Sequence, residues 1–320
     1  MDGAFQLPIG EMAAISAAIL WAFTSLIFTE AGRLATPLAA NTFKTICASF
    51  ILGIVLWIKT GLPYGVGIGT RDLLFLGASG ICGLAIGDSL LFLGFQALGT
   101  RRANLVFALA PVMGVLGGLA FLGETLDLVE IAGISAAIGG VAWVVSERRG
   151  IVRSGSLLRS LTGHTDDRRH PLEGRTLFGI LVTVAAAFGQ AGAALLAKPA
   201  LERVATLEAT QIRVGAAAVT LLLGGAVAGR LPVWTELIVR QRLYVGMALA
   251  SFLGPFLGIW LMTVSLDHTS TGVALTLLST PPIWLLPLGA WLQHDFPTRR
   301  ELLGLLVALA GVAVLLLRGA

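Results

Sequence analysis

Charged residues are scarce in this chain, and so are cysteine, tyrosine and histidine. Asp, Glu, Lys and Arg make up 12% of the 320 residues, about half the usual share of a soluble domain. Hydrophobic residues make up 56%, and the mean hydropathy is +0.88. This balance excludes a soluble multi-domain enzyme and indicates a chain that lies in a lipid bilayer. The arginines fall in loops, so no folded basic surface is left for nucleic acid.

The few reactive side chains limit the other classes of function. Cys47 and Cys82 lie inside apolar segments and are interpreted as buried small hydrophobic residues. The four histidines lie in loops or at segment ends, and no intramembrane cluster of His, Asp and Glu or Ser–His pair is apparent. We therefore predict no enzyme activity, no cofactor and no metal. Asp2 and Glu11 precede the first apolar run, which is interpreted as a retained span because a signal peptide would begin with basic residues.

Ten apolar segments can be marked, each about long enough to cross a bilayer as a helix. They are residues 12–31, 37–58, 73–98, 103–122, 129–145, 176–197, 207–228, 243–266, 271–292 and 301–317. Most of the connections are short, which predicts antiparallel neighbours packed side by side. The exception is the polar stretch 146–175, which is rich in Arg, Ser and Gly and is interpreted as a flexible linker. The predicted fold is an all-α integral membrane protein with ten transmembrane helices.

The segments before and after the linker look like two copies of one unit. Pro111 lies near the middle of the fourth segment, as Pro281 does in the ninth, and Lys44 in the second segment has a counterpart at Arg213 in the seventh. Five is an odd number of spans, so the second copy must lie upside down relative to the first. We therefore predict two inverted five-helix repeats, residues 1–145 and 176–320, with a ligand site between them near the middle of the membrane.

These features resemble a known family. They are Trp21 in the first segment, the basic residue early in the second, the sequence ALGTRRANLVFALAPV entering the fourth segment, and the Leu-Gly-Glu that ends it at Glu124. The chain resembles a ten-helix member of the drug/metabolite transporter superfamily built from two EamA-type repeats. It departs from the family pattern at 293–295, where Gln-His-Asp stands in place of Gly-Glu, and in its long linker.

The resemblance implies a carrier for small metabolites or drugs, such as amino acids. It also implies that substrate binds in a central cavity lined by the first, third, fourth, sixth, eighth and ninth spans. We accordingly predict a secondary transporter working by alternating access in a bacterial inner membrane, as a monomer or homodimer, with proton coupling left open. The alternatives are a passive channel or pore and, less favoured, a membrane enzyme acting on lipids.

Asp88 is the first candidate for the site, because a carboxylate in the middle of a span is costly and is usually used or shielded. It could exchange protons or bind a cationic substrate group, or it could form a structural ion pair or hydrogen bond. Phe92 shares its helical face. Lys44 and Arg213 could reach the membrane interface or form internal ion pairs with Asp88 or Glu124.

The remaining candidates are polar or aromatic side chains inside spans. They are Trp21 and Ser25 in the first span, Gln190 in the sixth, and Thr276 and Ser279 in the ninth. Isolated hydroxyls in membrane helices often bond to their own backbone, whereas the amide of Gln190 needs several partners. Pro111 and Pro281 are predicted to be paired bends used in alternating access. Asp88 itself has no counterpart, because Phe256 or Gly258 falls near its place in the eighth span.

The membrane orientation is predicted differently by two criteria. Arginine and lysine are more numerous on the side of the linker than on the side of the two termini. The positive-inside rule therefore places the linker in the cytoplasm and the termini outside. The family resemblance implies the reverse. We follow the charge rule, because it uses this sequence.

Overall fold

The computed structural model describes residues 8–319 except 66, 99, 108, 124, 147–174, 241–242, 282, 286 and 288–297, and all regular structure in these residues is helical. The helices of the first repeat are α1 Ile9–Leu34, α2 Pro37–Thr60, α3 Thr70–Leu98, α4 Thr100–Phe107, α5 Leu109–Leu122 and α6 Leu128–Ser146. Those of the second repeat are α7 Thr176–Leu201, α8 Thr206–Val227, α9 Leu231–Arg240, α10 Tyr244–His268, α11 Thr271–Leu278 and α12 Arg299–Gly319.

Six of these helices are long and apolar enough to cross a membrane, and shorter apolar helices account for the other four predicted segments. The six are α1, α2, α3, α7, α8 and α10. Large apolar side chains such as Phe50, Phe188 and Leu223 stand exposed on the outside of the bundle, while alanine dominates the interior. A bundle in lipid requires this arrangement, because close helix packing favours small side chains and lipid covers the large ones. The prediction of a multi-pass helical membrane protein is confirmed.

Local sequence explains several helix ends. The side chain of Thr36 accepts a hydrogen bond from the backbone N–H of Ala39, and Pro37 occupies the first turn of α2, where its missing N–H costs nothing. Gly123 follows α5 with a φ of 66°, a left-handed conformation that glycine adopts without strain. This glycine belongs to the Leu-Gly-Glu motif; Glu124 itself lies outside the described residues.

One helix was not anticipated. The connection between the seventh and eighth predicted spans contains the short helix α9, Leu231–Arg240. Trp234 and Ile238 are buried on one of its faces, and the ring of Trp234 packs against Gly225 of α8. Spacing of three and four residues between apolar side chains makes such a helix amphipathic, although it is too short to cross a bilayer.

Equivalent helices of the two repeats pack against each other in opposite directions. In the fifth spans, Gly140 contacts Ala308 and Gly311 contacts Ala137. Since the residue numbers rise on α6 as they fall on α12, the two helices are antiparallel. The second spans behave alike, because Gly53 lies near Gln211 on α8 and Gly215 lies near Ser49 on α2. The two copies are therefore packed with their equivalent helices antiparallel.

The third span of each repeat contains a seven-residue π-helical segment. The first is Ile81–Gly87 in α3 and the second is Phe252–Gly258 in α10. Each packs against the first helix of the other repeat: Gly83 against Ala193 of α7, and Gly254 against Thr24 of α1. A π-helical turn inserts one extra residue and often marks a functional site. The repeats thus meet at two equivalent π-helical segments.

Candidate functional site

A cavity of about 120 Å³ lies between the repeats, beside the two π-helical segments. Its lining combines aromatic rings with a few polar groups. The lining residues are Trp21, Thr24, Ser25, Phe28, Lys44, Leu84, Asp88, Leu91, Phe92, Phe95, Asn104, Phe107, Gln190, Pro255, Ile259, Met262, Leu278, Ser279 and Pro281. Small-molecule sites are commonly of this kind, apolar with a few converging polar groups.

An ion pair between Lys44 and Asp88 occupies the cavity wall. The Lys44 ammonium lies 2.6 Å from Oδ2 of Asp88, and the side chains are 8% and 19% exposed. The ammonium also lies 4.6 Å from the ring centroid of Phe92 and 5.9 Å from that of Phe28, within the range of cation–π attraction. Of the alternatives that the sequence left open for Lys44, the structure places it inside the bundle with Asp88.

The π-helical segment of α3 sets the position of Asp88. Asp88 is the first residue after Ile81–Gly87, so the extra residue in that segment determines the direction in which its carboxylate points. The two π-helical segments end at Gly87 and Gly258. Aligning them places Ile259 opposite Asp88, which corrects the sequence-based alignment by one to three residues toward the C-terminus. The carboxylate remains an asymmetric feature.

Trp21 and Gln190 are equivalent in the two repeats, since the same number of residues separates them as separates Lys44 from Arg213. Both line the cavity. The indole N–H of Trp21 donates to the carbonyl of Gly254 at 3.3 Å, inside the second π-helical segment. The amide of Gln190 lies 3.5 Å from the sulfur of Met262.

The hydroxyl groups divide between cavity and core. Ser25 and Ser279 line the cavity, and each donates to a carbonyl of its own helix, at Ala22 and Leu275. Thr276 also bonds its own helix, but it is buried and lies away from the cavity lining. The expected self-bonding of isolated hydroxyls therefore describes all three.

Arg213 is fully buried, but it does not line the cavity. Its Nε donates to Oγ of Ser79 and its Nη1 to Oγ1 of Thr263, both at 3.0 Å. Ser79 in turn donates to the carbonyl of Ala193 at 2.6 Å. Nη2 has no hydrogen-bond partner among the described residues. Arg213 therefore links α3, α8 and α10, and it does not reach the membrane interface.

The two candidate hinges differ in their surroundings. Pro111 is buried within the described helix Leu109–Gly117. Pro281 lines the cavity just after α11 ends at Leu278, where the turn at Ser279 and Thr280 interrupts the helix. A third proline, Pro255, lies inside the second π-helical segment and also lines the cavity. The lining thus contains one of the two predicted hinges.

Several polar or aromatic groups of this region were not predicted from the sequence, among them Phe95 on α3. Asn104 and Phe107 on α4 line the cavity, and the buried amide of Asn41 contacts the first π-helical segment. An amide inside an apolar span is as conspicuous as Gln190, so the signal for Asn41 was present. No group of His, Cys, Asp and Glu in the described residues could hold a metal ion.

The cavity lies toward one end of the bundle. On α1 the lining residues lie between Trp21 and Phe28, in the half of the helix that leads to α2. On α3 they lie between Leu84 and Phe95, in the C-terminal half, which ends at the same face of the bundle. We call this end the linker face, because α6 ends and α7 begins there. The opposite end, where α1 begins, is the terminal face.

Polar contacts connect the two repeats at the terminal face. Arg203, between α7 and α8, donates to Asp72 at the start of α3 with an Nη2–Oδ1 distance of 2.7 Å. These hydrogen bonds to Asp72 raise the pKa of the Arg203 guanidinium, so it stays charged. Thr269, before α11, donates to Glu11 of α1 at 2.9 Å. Within the second repeat, Lys198 donates to the carbonyls of Leu266 and Thr269 at the same face.

The fold and the cavity together define a multi-pass helical membrane protein with a largely apolar cavity, containing an ion pair, between two repeats. The model of the EamA-like transporter family matches residues 8–146 and 177–317. The chain therefore belongs to the EamA-like transporter family, which confirms the resemblance to the drug/metabolite transporter superfamily. A solved structure titled "Crystal structure of protein" is similar in fold, with a TM-score of 0.63 and 17% identity over 95% of each chain. No curated protein matches the chain.

Proposed function

We propose that this protein is a secondary transporter that binds a small molecule beside the Lys44–Asp88 pair and moves it by alternating access. The observation that carries the proposal is a cavity between the repeats with an ion pair in an apolar wall. Membrane proteins retain such charges chiefly where substrates or ions pass. Membership of the EamA-like transporter family supports a small-molecule substrate.

The packing of the repeats supports the mechanism. Antiparallel contacts between equivalent helices fit two inverted repeats with ten spans, the plan on which rocking of one repeat against the other opens a central site to either side. The cavity lies toward the linker face, and the Asp72–Arg203 pair connects the repeats at the terminal face. This is the arrangement that a carrier closed at its terminal face would have.

The site favours a compact amphipathic molecule, such as an amino-acid-like metabolite or a drug. A substrate with a cationic group could replace Lys44 at Asp88, and aromatic rings would cover its apolar part. Proton coupling through Asp88 would require the carboxylate to leave Lys44 during the cycle.

Localisation to a bacterial inner membrane, with the linker in the cytoplasm as the charge rule indicates, belongs to the same proposal. A reporter that is active only in the cytoplasm, fused to either terminus, should therefore give little activity. Strong activity would show that the orientation is the opposite one, with the termini in the cytoplasm.

Counterflow in proteoliposomes tests the carrier function. A thermal-shift screen of the purified protein against amino acids, nucleotides and cationic drugs first identifies a ligand. Uptake of labelled ligand should then saturate and should accelerate when unlabelled ligand is preloaded. A strictly linear flux would instead identify a passive channel or pore.

Asp88→Asn tests the role of the ion pair in coupling. If Asp88 carries a proton, the variant should lose the dependence of uptake on a pH gradient, because an amide does not titrate, while retaining some exchange. Uptake is measured with and without an imposed gradient in wild-type and variant proteoliposomes. Gradient dependence that is unchanged in Asp88→Asn would remove Asp88 from this role.

A further inference from the structure

The side chain of Asn41 reaches from α2 into the first π-helical segment. Asn41 is completely buried, and its Nδ2 donates to the carbonyls of Leu84 and Ala85 at 3.0 and 3.3 Å. The same amide donates to Oγ of Ser89 at 2.8 Å, the residue next to Asp88. One side chain therefore contacts the segment that precedes Asp88 and the residue that follows it.

These hydrogen bonds compensate for the backbone pairing that a π-helix disturbs. Changing the hydrogen-bond register by one residue disturbs the regular pairing of N–H and C=O groups. A carbonyl without a partner is costly in the interior of a membrane protein, where water cannot replace the lost bond. Asn41 supplies donors to two carbonyls of the segment Ile81–Gly87, and Ser89 adds a bond of 2.6 Å to the carbonyl of Ala85.

The second repeat maintains its π-helical segment in another way. Pro255 lies within Phe252–Gly258, and proline has no N–H with which to form the regular α-helical bond. Thr210 precedes Arg213 by three residues, as Asn41 precedes Lys44, but its hydroxyl donates to Thr206 of its own helix. Trp21 of α1 also donates to the carbonyl of Gly254 in this segment. The second segment thus has a proline of its own besides a hydrogen bond from a neighbouring helix, whereas the first has no proline and receives the side chain of Asn41.

We propose that Asn41 is a positioning residue that holds Ile81–Gly87 in π-helical register and thereby directs Asp88 toward Lys44. Release of the amide lets the segment return to α-helical register. An α-helical turn contains about one residue fewer than a π-helical turn. The change of register therefore rotates Asp88 by about 100° around the axis of α3, away from Lys44. The consequence for transport rests on the proposed role of this ion pair, but the structural statement does not.

Cys82 provides a direct probe, because it lies inside the segment and is half-buried. With Cys47 replaced by serine, the rate at which a small maleimide labels Cys82 is measured in purified protein. Asn41→Leu removes the donors at similar volume and should raise the rate about tenfold or more, as expected when buried carbonyls lose their partner. Thr210→Val, the matched change in the second repeat, should leave the rate within about twofold.

A double-mutant cycle tests the effect on the ion pair. In the wild-type background Asp88→Asn should lower the unfolding temperature, whereas in the Asn41→Leu background most of that decrease should disappear, because the pair is already separated. Asn41→Ser, a milder change whose hydroxyl is too short to reach the carbonyls, is carried through both measurements in case Asn41→Leu does not fold.

Unchanged labelling of Cys82, or decreases in unfolding temperature that simply add, would overturn the proposal. Faster labelling together with a non-additive cycle would establish it. Neither measurement requires a substrate, so a failure of saturable counterflow would defeat the carrier function and leave both results interpretable.

Discussion

The two repeats place a basic residue at the same position of their second spans and give it opposite surroundings. In the first repeat Lys44 lies in the cavity wall, 2.6 Å from Asp88. In the second repeat Arg213 is fully buried outside the cavity and donates to the hydroxyls of Ser79 and Thr263. Ile259 occupies the place that Asp88 has in the first repeat. One cation therefore lines the cavity, and the other links three helices.

The comparison separates the symmetric frame from the asymmetric site. Both repeats have a π-helical segment in the third span and antiparallel contacts with the equivalent helices. The frame needs small residues at the crossings, and these recur in both copies. The basic residue recurs but the carboxylate does not, so the ion pair is present in one repeat and the cavity has one chemically specialised half. Substitutions that crowd a helix crossing of the frame should destabilise the fold, and substitutions in the specialised half should alter binding and transport.

Gly80→Ala should have the largest effect, because Gly80 lies at the crossing of α3 and α8. A Cβ there would lie 2.0 Å from the carbonyl oxygen of Arg213, and backbone must move to relieve such a clash. We expect a loss of about 3 kcal/mol or more, seen as little folded protein in size-exclusion chromatography. The second repeat has Ser251 immediately before its π-helical segment, so the requirement for glycine is specific to the first.

Gly139→Ala is the control for this substitution. Gly139 also lies in a membrane helix, but nothing lies within 4 Å of a Cβ built there. Alanine favours helix more than glycine does, so the variant should be as stable as wild type or slightly more so. Equal stability of Gly80→Ala and Gly139→Ala would show that the α3–α8 crossing is looser than the structure has it.

Removal of the two cations should give different results. Lys44→Met leaves the carboxylate of Asp88 without its direct partner in an apolar wall, at an expected cost of about 3 kcal/mol. Arg213→Met leaves no carboxylate without its hydrogen-bond partner, and it removes the hydrogen bonds to Ser79 and Thr263, so the expected cost is smaller, about 1 kcal/mol. Thermal unfolding in detergent, with the ligand and without it, measures both.

The double variant Lys44→Met/Asp88→Asn makes this comparison sharper. Removing both charges should recover much of the stability lost in Lys44→Met, but ligand binding should not return. Equal destabilisation by Lys44→Met and Arg213→Met would mean that the two cations are equivalent, and it would contradict the division into site and frame.

The sequence was sufficient for the parts of the structure that depend on composition and spacing. The length of each apolar run is enough to predict the spans, because a helix must be apolar over the thickness of the bilayer to lie in lipid. Trp21, Gln190 and Asp88 could be selected because a polar atom inside an apolar span requires a partner. The structure brings all three to one cavity.

The partners of these groups could not be predicted, because they depend on register. The extra residue in Ile81–Gly87 turns Asp88 toward Lys44, and apolar periodicity carries no sign of such a turn. Lys44 and Arg213 are alike in sequence position, yet their roles differ according to whether a carboxylate or a hydroxyl faces them. Helix α9 was missed because its apolar stretch, LPVWTELIVR, is too short to cross a bilayer and was therefore left as part of a connection.

The smallest predicted effect concerns the terminal face, where the repeats are held by an ion pair at the surface. Asp72→Asn should weaken the contact with Arg203 and shift the protein toward a conformation open at that face. In a cysteine-free background, Met262→Cys places a probe in the cavity wall. An impermeant maleimide applied from the terminal face should label the cysteine of Met262→Cys about threefold faster when Asp72→Asn is also present. The change is modest because partly exposed ion pairs contribute little.

Glu202→Gln is the matched control, since Glu202 is 3.7 Å from the same guanidinium but its side chain is 77% exposed. Equal acceleration by both substitutions would show that the charge of Arg203, and not its contact with Asp72, governs access from the terminal face.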